Sequence, residues 1–411
     1  MATPDNRRAV LILLLVSGTI ISLCMGMRQS LGLFMRPVTL DLGVSVGTFG
    51  FALALQNMVW GLSQPFVGAI ADRYGARPVV VATALSYVAG LLLMAYARSA
   101  VALDLAGLLV GIGIAGTSFG VLIGVVARAT PPEKRSQTVG LIAAVGSLGT
   151  VVLAPVAQWL LDGFGWRMAL VAFAAIAGVM VLLAFAIREP AHVADAQAPV
   201  IPQKIGEALR EAGSHRGFMA MTVAYFACGF QLIFITTHLP QYLELCGVSP
   251  AVGAQALALI GLFNTFGTWM FGQLGARYSQ KKLLAFIYLF RTLFIALFVT
   301  LPVTGTTTLI FAAAMGFLWL GVAPLVTVLI GRVLGLAHFN MLYGIVFLSH
   351  QVGSFCGAWL GGVAFDLTGS YNTGWASLLF IGALAFTLQW TMDDRPPTRR
   401  QPQPDPVPAP A

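Results

Sequence analysis

Residues 9–35 read AVLILLLVSGTIISLCMGMRQSLGLFM, an apolar run of 27 residues interrupted by a single charge, Arg28. About 20 apolar residues suffice for a helix to cross a bilayer, so this run is long enough to span. It is also too long for the apolar core of a secretory signal, and no small-residue cleavage site ends it. Arg28 lies six residues past the middle of the run. At 1.5 Å per residue that is about 9 Å from the centre, inside a hydrocarbon half-thickness of about 15 Å. An arginine at that depth costs about 2.5–3.5 kcal/mol to insert, so it calls for a partner or a function.

The rest of the 411-residue chain repeats the pattern, with 58% hydrophobic residues, 9% charged residues and a mean hydropathy of +0.86. Soluble domains carry about 25% charged residues, which places this chain in a membrane. Strand-like alternation is absent, which excludes a β-barrel. Twelve spans are predicted, at 9–35, 46–71, 77–97, 100–127, 136–161, 166–187, 217–244, 250–275, 282–301, 306–333, 339–366 and 372–392. The four cysteines, Cys24, Cys228, Cys246 and Cys356, have neither disulfide nor metal-site spacing. Net charge is +8, yet of the 23 lysines and arginines only Arg36, Arg98 and Arg167 fall in segments on the far side from the N-terminus. That is the positive-inside pattern, with both termini cytoplasmic, and it needs no nucleic-acid partner.

A polar stretch with Pro190, Pro199 and Pro202 divides the spans six and six. The predicted organisation is a first half over 1–187, a cytoplasmic linker over 188–216, a second half over 217–394 and a disordered proline-rich tail over 395–411. A shift of 204 residues aligns Gly43-Val44-Ser45 with Gly247-Val248-Ser249, and Arg73-Tyr74 with Arg277-Tyr278. It also pairs Gly149 with Gly353, Asp162 with Asp366, and Gly165 with Gly369. The fold class is therefore all-α, with twelve transmembrane helices in two parallel six-helix repeats, and such repeats place a substrate near the midplane between the halves.

The loop after the second span, residues 68–78, reads GAIADRYGARP, and its degenerate copy at 272–282 reads GQLGARYSQKK. The first resembles the G-x-x-x-D-R-x-G-R/K signature of the major facilitator superfamily, and the resemblance extends over residues 9–393. It implies that Gly68, Asp72, Arg73, Gly75 and Arg77 form a conformational gate, Gly68 permitting close helix approach and Asp72 pairing with basic groups and helix ends. The copy has Ala276 where the signature has its acid.

A second arginine, Arg291, falls at the middle of the ninth span, and no acid lies at comparable depth to either. Two cations without a fixed acid describe a cavity that attracts an anion, and the alternative is pairing with helix-end carbonyls or snorkelling. Arg28 is assigned the anion, and Arg291 a packing role, because ninth helices in the resembled fold lie outside the core. Arg28 and Phe34 also match positions in the first helix of the monocarboxylate transporter and oxalate/formate-exchanger-like branch, where a lysine is followed six residues later by an aromatic. The lysine there takes part in proton and carboxylate binding. Arginine keeps the charge and offers a bidentate fork, but it holds its proton at physiological pH. The branch carries an arginine on helix eight, where Thr268 stands here, four residues after Asn264.

The expected lining is Arg28, Gln56, Trp60, Phe119, His238, Tyr242, Asn264, Trp319, Phe347 and His350. His238 and His350 are the candidates for proton coupling, being the membrane groups that titrate near neutral pH. Pro240 is expected to kink its helix as a gate hinge. Gly111–Gly116 lacks the strand–helix context of a nucleotide site, and Gln158-Trp159 replaces the glycines of a drug-antiporter motif after Gly149 and Pro155. No Walker lysine motif and no nucleophile–histidine–acid cluster occurs, so neither an enzyme nor a cofactor is expected. The reading is a monomeric secondary transporter of the bacterial inner membrane, carrying a mono- or dicarboxylate with protons or a counter-anion. Drug or amphiphile efflux and a non-transporting membrane sensor are the alternatives.

Overall fold

The computed structural model describes residues 4–130, 132–187, 205–334 and 339–396. The predicted tail beyond 396 and most of the predicted linker lie outside the described residues. Helix α1 (Pro4–Ser30) continues through a 3-10 turn (Leu31–Phe34) into α2 (Met35–Leu42), so the first crossing is longer than predicted. Then come α3 (Val46–Tyr74), α4 (Ala76–Ala95), α5 (Ala100–Thr117), α6 (Phe119–Ala129) and α7 (Pro132–Ala184). Helix α7 is two crossings joined at Gly165, whose φ of 74° reverses the chain. After α8 (Ile205–Ser214), a short amphipathic helix, follow α9 (Arg216–Leu245), α10 (Pro250–Arg277), α11 (Gln280–Thr300), α12 (Gly305–Leu318), α13 (Val322–Leu334), α14 (Phe339–Thr368) and α15 (Asn372–Thr391). Among the described residues there is no strand.

Nine described stretches are long and apolar enough to cross a membrane unaided, with α3 and α14 absent from them. Gln56, Asn57 and Gln64 interrupt α3, and His350 and Gln351 interrupt α14. These two helices pack against each other between the halves, while α7 packs on α10 across the other flank. Polar groups withdrawn from lipid thereby find partners in protein.

The 204-residue repeat is written in the backbone. Left-handed glycines recur at Gly43 (φ 63°) and Gly247 (φ 76°), and at Gly165 (φ 74°) and Gly369 (φ 67°). Gly149 lies against the backbone of Ser22, and Gly353 against that of Phe226, again residues 204 apart. In each case a side chain would drive into the neighbouring carbonyl, so glycine sets the separation of α1 from α7 and of α9 from α14.

Both halves contain an interrupted crossing, at Ser118 between α5 and α6 and at residues 319–321 between α12 and α13. Helix α9, by contrast, continues through Pro240 as a single helix, so Pro240 does not break it. The second interruption is held by Arg291, which is fully buried. Its Nη2 donates to the carbonyls of Leu318 (2.7 Å) and Trp319, its Nε to Leu318 (3.2 Å) and its Nη1 to Cys228 Sγ (3.3 Å). These are orphan carbonyls of the α12 C-terminus, where a cation also meets the negative end of the helix dipole. From the other side Asn264 Oδ1 accepts the Leu320 N–H at 2.9 Å. Arg291→Met leaves the carbonyls unpaired and is expected to cost about 2–4 kcal/mol. Thermal melts of the detergent-purified protein should show the loss, with Arg291→Lys intermediate.

Candidate anion site

Arg28 stands two residues before α1 gives way to the 3-10 turn. That turn brings Gly32 against the carbonyl of Thr236 on α9, closing one end of the interface between the halves. The Arg28 Nη2 donates to Asn57 Oδ1 at 2.5 Å, and the guanidinium lies 4.9 Å from the centre of the Trp60 ring. Such a cation–π contact contributes about 0.5–2 kcal/mol, more as water is excluded. Trp60 is fixed in turn, its Nε1 donating to Gln64 Oε1 at 2.9 Å while Gln64 Nε2 donates to the Ala115 carbonyl.

What Arg28 lacks is an acid. Among the described residues no carboxylate pairs with it, its Nε is buried without a partner, and so is Gln56 Oε1. Both residues line a small cavity of about 20 Å³, room for roughly one water molecule, together with Gln29, Gly32, Leu53, Asn57, Ile233, Thr236 and Thr237. The cavity is formed by α1, α3 and α9, hence by both halves. A half-buried positive group with unspent donor capacity and surrounding amide and hydroxyl groups is suited to a small anion.

Beyond Trp60 the polar chain continues into the second half. Trp60 meets Phe347 edge-on at 5.4 Å, and Phe347 stacks on His350 at 6.2 Å. Gln351 Nε2 donates to the Asn57 carbonyl at 2.9 Å, which leaves its Oε1 to accept from His350 Nδ1 at 3.0 Å. That geometry assigns the His350 proton to Nδ1 in the neutral ring.

The structure thus gathers Arg28, Gln56, Trp60, Phe347 and His350, but not every residue expected beside them. Tyr242 is taken up by an aromatic cluster with Tyr371, Trp375 and Phe298 at the far end of α9. Trp319 is buried at the α12 interruption, where its carbonyl serves Arg291. Asn264 spends its amide on Ser147 and its oxygen on Leu320 and Thr268, stitching α7, α10 and the interruption together. His238 is enclosed, with Nε2 on the Ala358 carbonyl (2.9 Å) and Nδ1 on Tyr371 Oη (3.2 Å). Phe119 packs at the Gly146 face of α7. None of these five lines the Arg28 cavity, and neither do Trp60, Phe347 and His350, which reach it only through successive ring contacts. Gln29, Asn57, Thr236 and Thr237 do; Asn57 is legible with Gln56 as a polar group inside the second span, and the Thr236-Thr237 pair inside an apolar run was the signal available for the two threonines.

At the opposite end, Gly75 (φ 87°) turns the chain from α3 to α4. Arg77 Nε donates to the Ile187 carbonyl at 2.9 Å, and Arg73 lies over the Tyr74 ring. Gly68 faces open space, so it sets no close helix approach here. The Asp72 side chain lies outside the described residues.

The sequence matches the Major Facilitator Superfamily over residues 14–336. The chain belongs to that superfamily. This major facilitator protein is 26% identical over 372 residues to the oxalate:formate antiporter of Oxalobacter formigenes, covering 89% of this chain and 86% of that one. It is 26% identical over 365 residues to monocarboxylate transporter 13 of Rattus norvegicus, covering 88% and 83%. A bacterial homolog of the human lysosomal transporter Spinster, crystallised inward-facing and unoccupied, matches the fold with a TM-score of 0.73 at 16% identity over 97% of this chain and 100% of that one. It is accordingly a multi-pass membrane transporter and not an enzyme.

Asn57→Asp supplies the missing acid beside Arg28. The variant is expected to remain folded, with an unchanged or higher Tm, while anion affinity falls at least about tenfold because the guanidinium is already neutralised. Ligand-induced thermal shifts measured beside the unliganded Tm separate the two effects.

Proposed function

We propose that this transporter carries a small organic anion, a mono- or dicarboxylate, by alternating access, with Arg28 as the carboxylate-binding group. The observation that carries the reading is the half-buried Arg28 guanidinium, held by neutral Asn57 and Trp60, with its buried Nε edge unpartnered beside the cavity. The names of the oxalate:formate and monocarboxylate relatives, each aligned over more than four-fifths of both chains, support a carboxylate. In this reading the two six-helix halves rock about the site, and the residue 68–77 loop gates the end that faces the cytoplasm of a bacterial inner membrane.

Arginine holds its charge through the cycle, so a travelling proton needs another carrier. Of the two histidines, His238 has both ring nitrogens engaged and no exposed surface. His350 uses Nδ1 on Gln351 and keeps 8% of its surface accessible beside the Trp60–Phe347 pair, which favours it as the coupling residue. Proton symport is the first assignment and anion exchange the second. His350→Gln is expected to abolish stimulation of uptake by a pH gradient while leaving substrate counterflow intact. Gradient-driven uptake that survives the substitution assigns the proton elsewhere.

A second reading, amphiphile efflux, draws on an apolar hollow of about 460 Å³ between α10, α11 and α12, lined by Phe263, Phe271, Phe290, Phe294 and Phe317. Proteoliposome transport of organic acids decides between them. Under the anion reading Arg28→Ala reduces uptake at least about hundredfold with the fold retained, and Arg28→Lys keeps a measurable rate. Stabilisation by cationic or neutral amphiphiles alone, with transport indifferent to Arg28→Ala, establishes the efflux reading instead.

A further inference from the structure

At the Gly43 end of the bundle the two flanks between the halves are related by the 204-residue repeat, yet they are built differently. On the α3–α14 flank the Asp366 carboxylate accepts the Val46 N–H (Oδ1, 3.0 Å) and the Gly47 N–H (Oδ2, 2.7 Å). These are the first two amides of α3, and they have no carbonyl within their own helix. The Thr48 N–H is met by its own N-cap, Ser45 Oγ, at 3.1 Å. So the start of α3 is completed by a carboxylate from the other half, which also meets the positive end of the helix dipole.

The contact requires small residues. A Cβ on Gly47 would lie 2.6 Å from Asp366 Oδ2, and Gly362 packs directly on Gly47. The repeat partners of Val46, Gly47, Gly362 and Asp366 are Pro250, Ala251, Gln158 and Asp162. Pro250 has no N–H to offer, Ala251 carries the Cβ that the first flank excludes, and Gln158 Nε2 donates to Asp162 Oδ1 at 2.8 Å on the same helix. The acid is present on both flanks, but only one flank has the amides and the space to receive it.

We propose that Asp366 is a one-sided latch that holds the Gly43 end closed and sets the balance between the two alternating-access states. The Arg36–Glu244 ion pair (2.8 Å) spans the halves at the same end, but its arginine is 42% exposed, and ion pairs of that kind contribute little. Asp366 is itself exposed, but it meets two buried amides with a full charge, and opening that end leaves both amides of α3 without their acceptors.

Distances between spin labels on Leu40→Cys and the native Cys246 test this, with Cys24, Cys228 and Cys356 replaced by alanine. Leu40 is 71% exposed, and both label positions lie at the Gly43 end, one on each half. The measurement uses no substrate, so its outcome is independent of which anion is carried. In Asp366→Asn the amide nitrogen faces an N–H donor, and the ratio of long to short distances is expected to rise roughly three- to tenfold. Gly47→Ala, which attacks the latch from the other helix, should do the same, and Asp162→Asn should leave the distribution unchanged. Building the missing latch with Gln158→Gly, Pro250→Val and Ala251→Gly should shift the distribution towards short distances. Unchanged distances in both Asp366→Asn and Gly47→Ala overturn the proposal. An equal response to Asp162→Asn also overturns it, since the asymmetry would then carry no weight.

Discussion

A backbone carbonyl that loses its helical partner inside a bilayer has no water to turn to, and every interruption of a crossing must find its partners within the protein. The gap between α12 and α13 is where this constraint acts hardest. Arg291 reaches it from α11 and pairs the carbonyls of Leu318 and Trp319, while Asn264 reaches it from α10 and takes the Leu320 N–H. Asn264 also binds Ser147 on α7, so the repair of one helix end fastens the two halves along one flank. The corresponding flank, α3 on α14, is fastened by Gln351 on the Asn57 carbonyl and by Asp366 on the α3 amides.

The same constraint separates two arginines that look alike as membrane charges. Arg291 spends its donors on a thiol and two carbonyls, and its charge opposes a helix dipole, so it is a structural cap. Arg28 meets one neutral amide oxygen and an aromatic face, and part of its donor edge is buried without a partner. A charge left in that condition is unfavourable, and under the proposed function an anion would relieve it. Neutral Asn57 is therefore as important as Arg28, since an acid at that position would satisfy the cation permanently.

Duplication explains why the bundle closes, and departures from duplication explain how it can be biased. Left-handed glycines and close helix pairs recur at the 204-residue spacing, giving both halves the same frame. Onto that frame the chain places Arg28 in one half and its repeat partner Leu232 in the other, and a latched α3 opposite an unlatched α10. In the proposed reading, substrate binding and gating both rest on positions where the two halves no longer agree.

Membrane class, twelve crossings, the repeat and the unpaired Arg28 were all legible in the residues, because each rests on local composition, on glycine geometry or on spacing along one chain. Of the expected lining only Gln56 shares the cavity with Arg28; Trp60 packs on the guanidinium and Phe347 and His350 follow it in a row of ring contacts, whereas Phe119, Tyr242, Trp319, Asn264 and His238 serve other contacts. In a soluble protein the apolar stripe of a helix marks its inner face, but lipid and protein interior are equally apolar, so a transmembrane helix carries little such mark. Rotation of each helix is settled by partners distant in sequence, as when Gly32 meets the Thr236 carbonyl or Gly149 the backbone of Ser22. The amino-acid sequence by itself determined that a lone guanidinium would sit within the bilayer. Only the tertiary structure decided that Asn57, and no acid, would stand beside it, because that choice depends on how α1 and α3 pack.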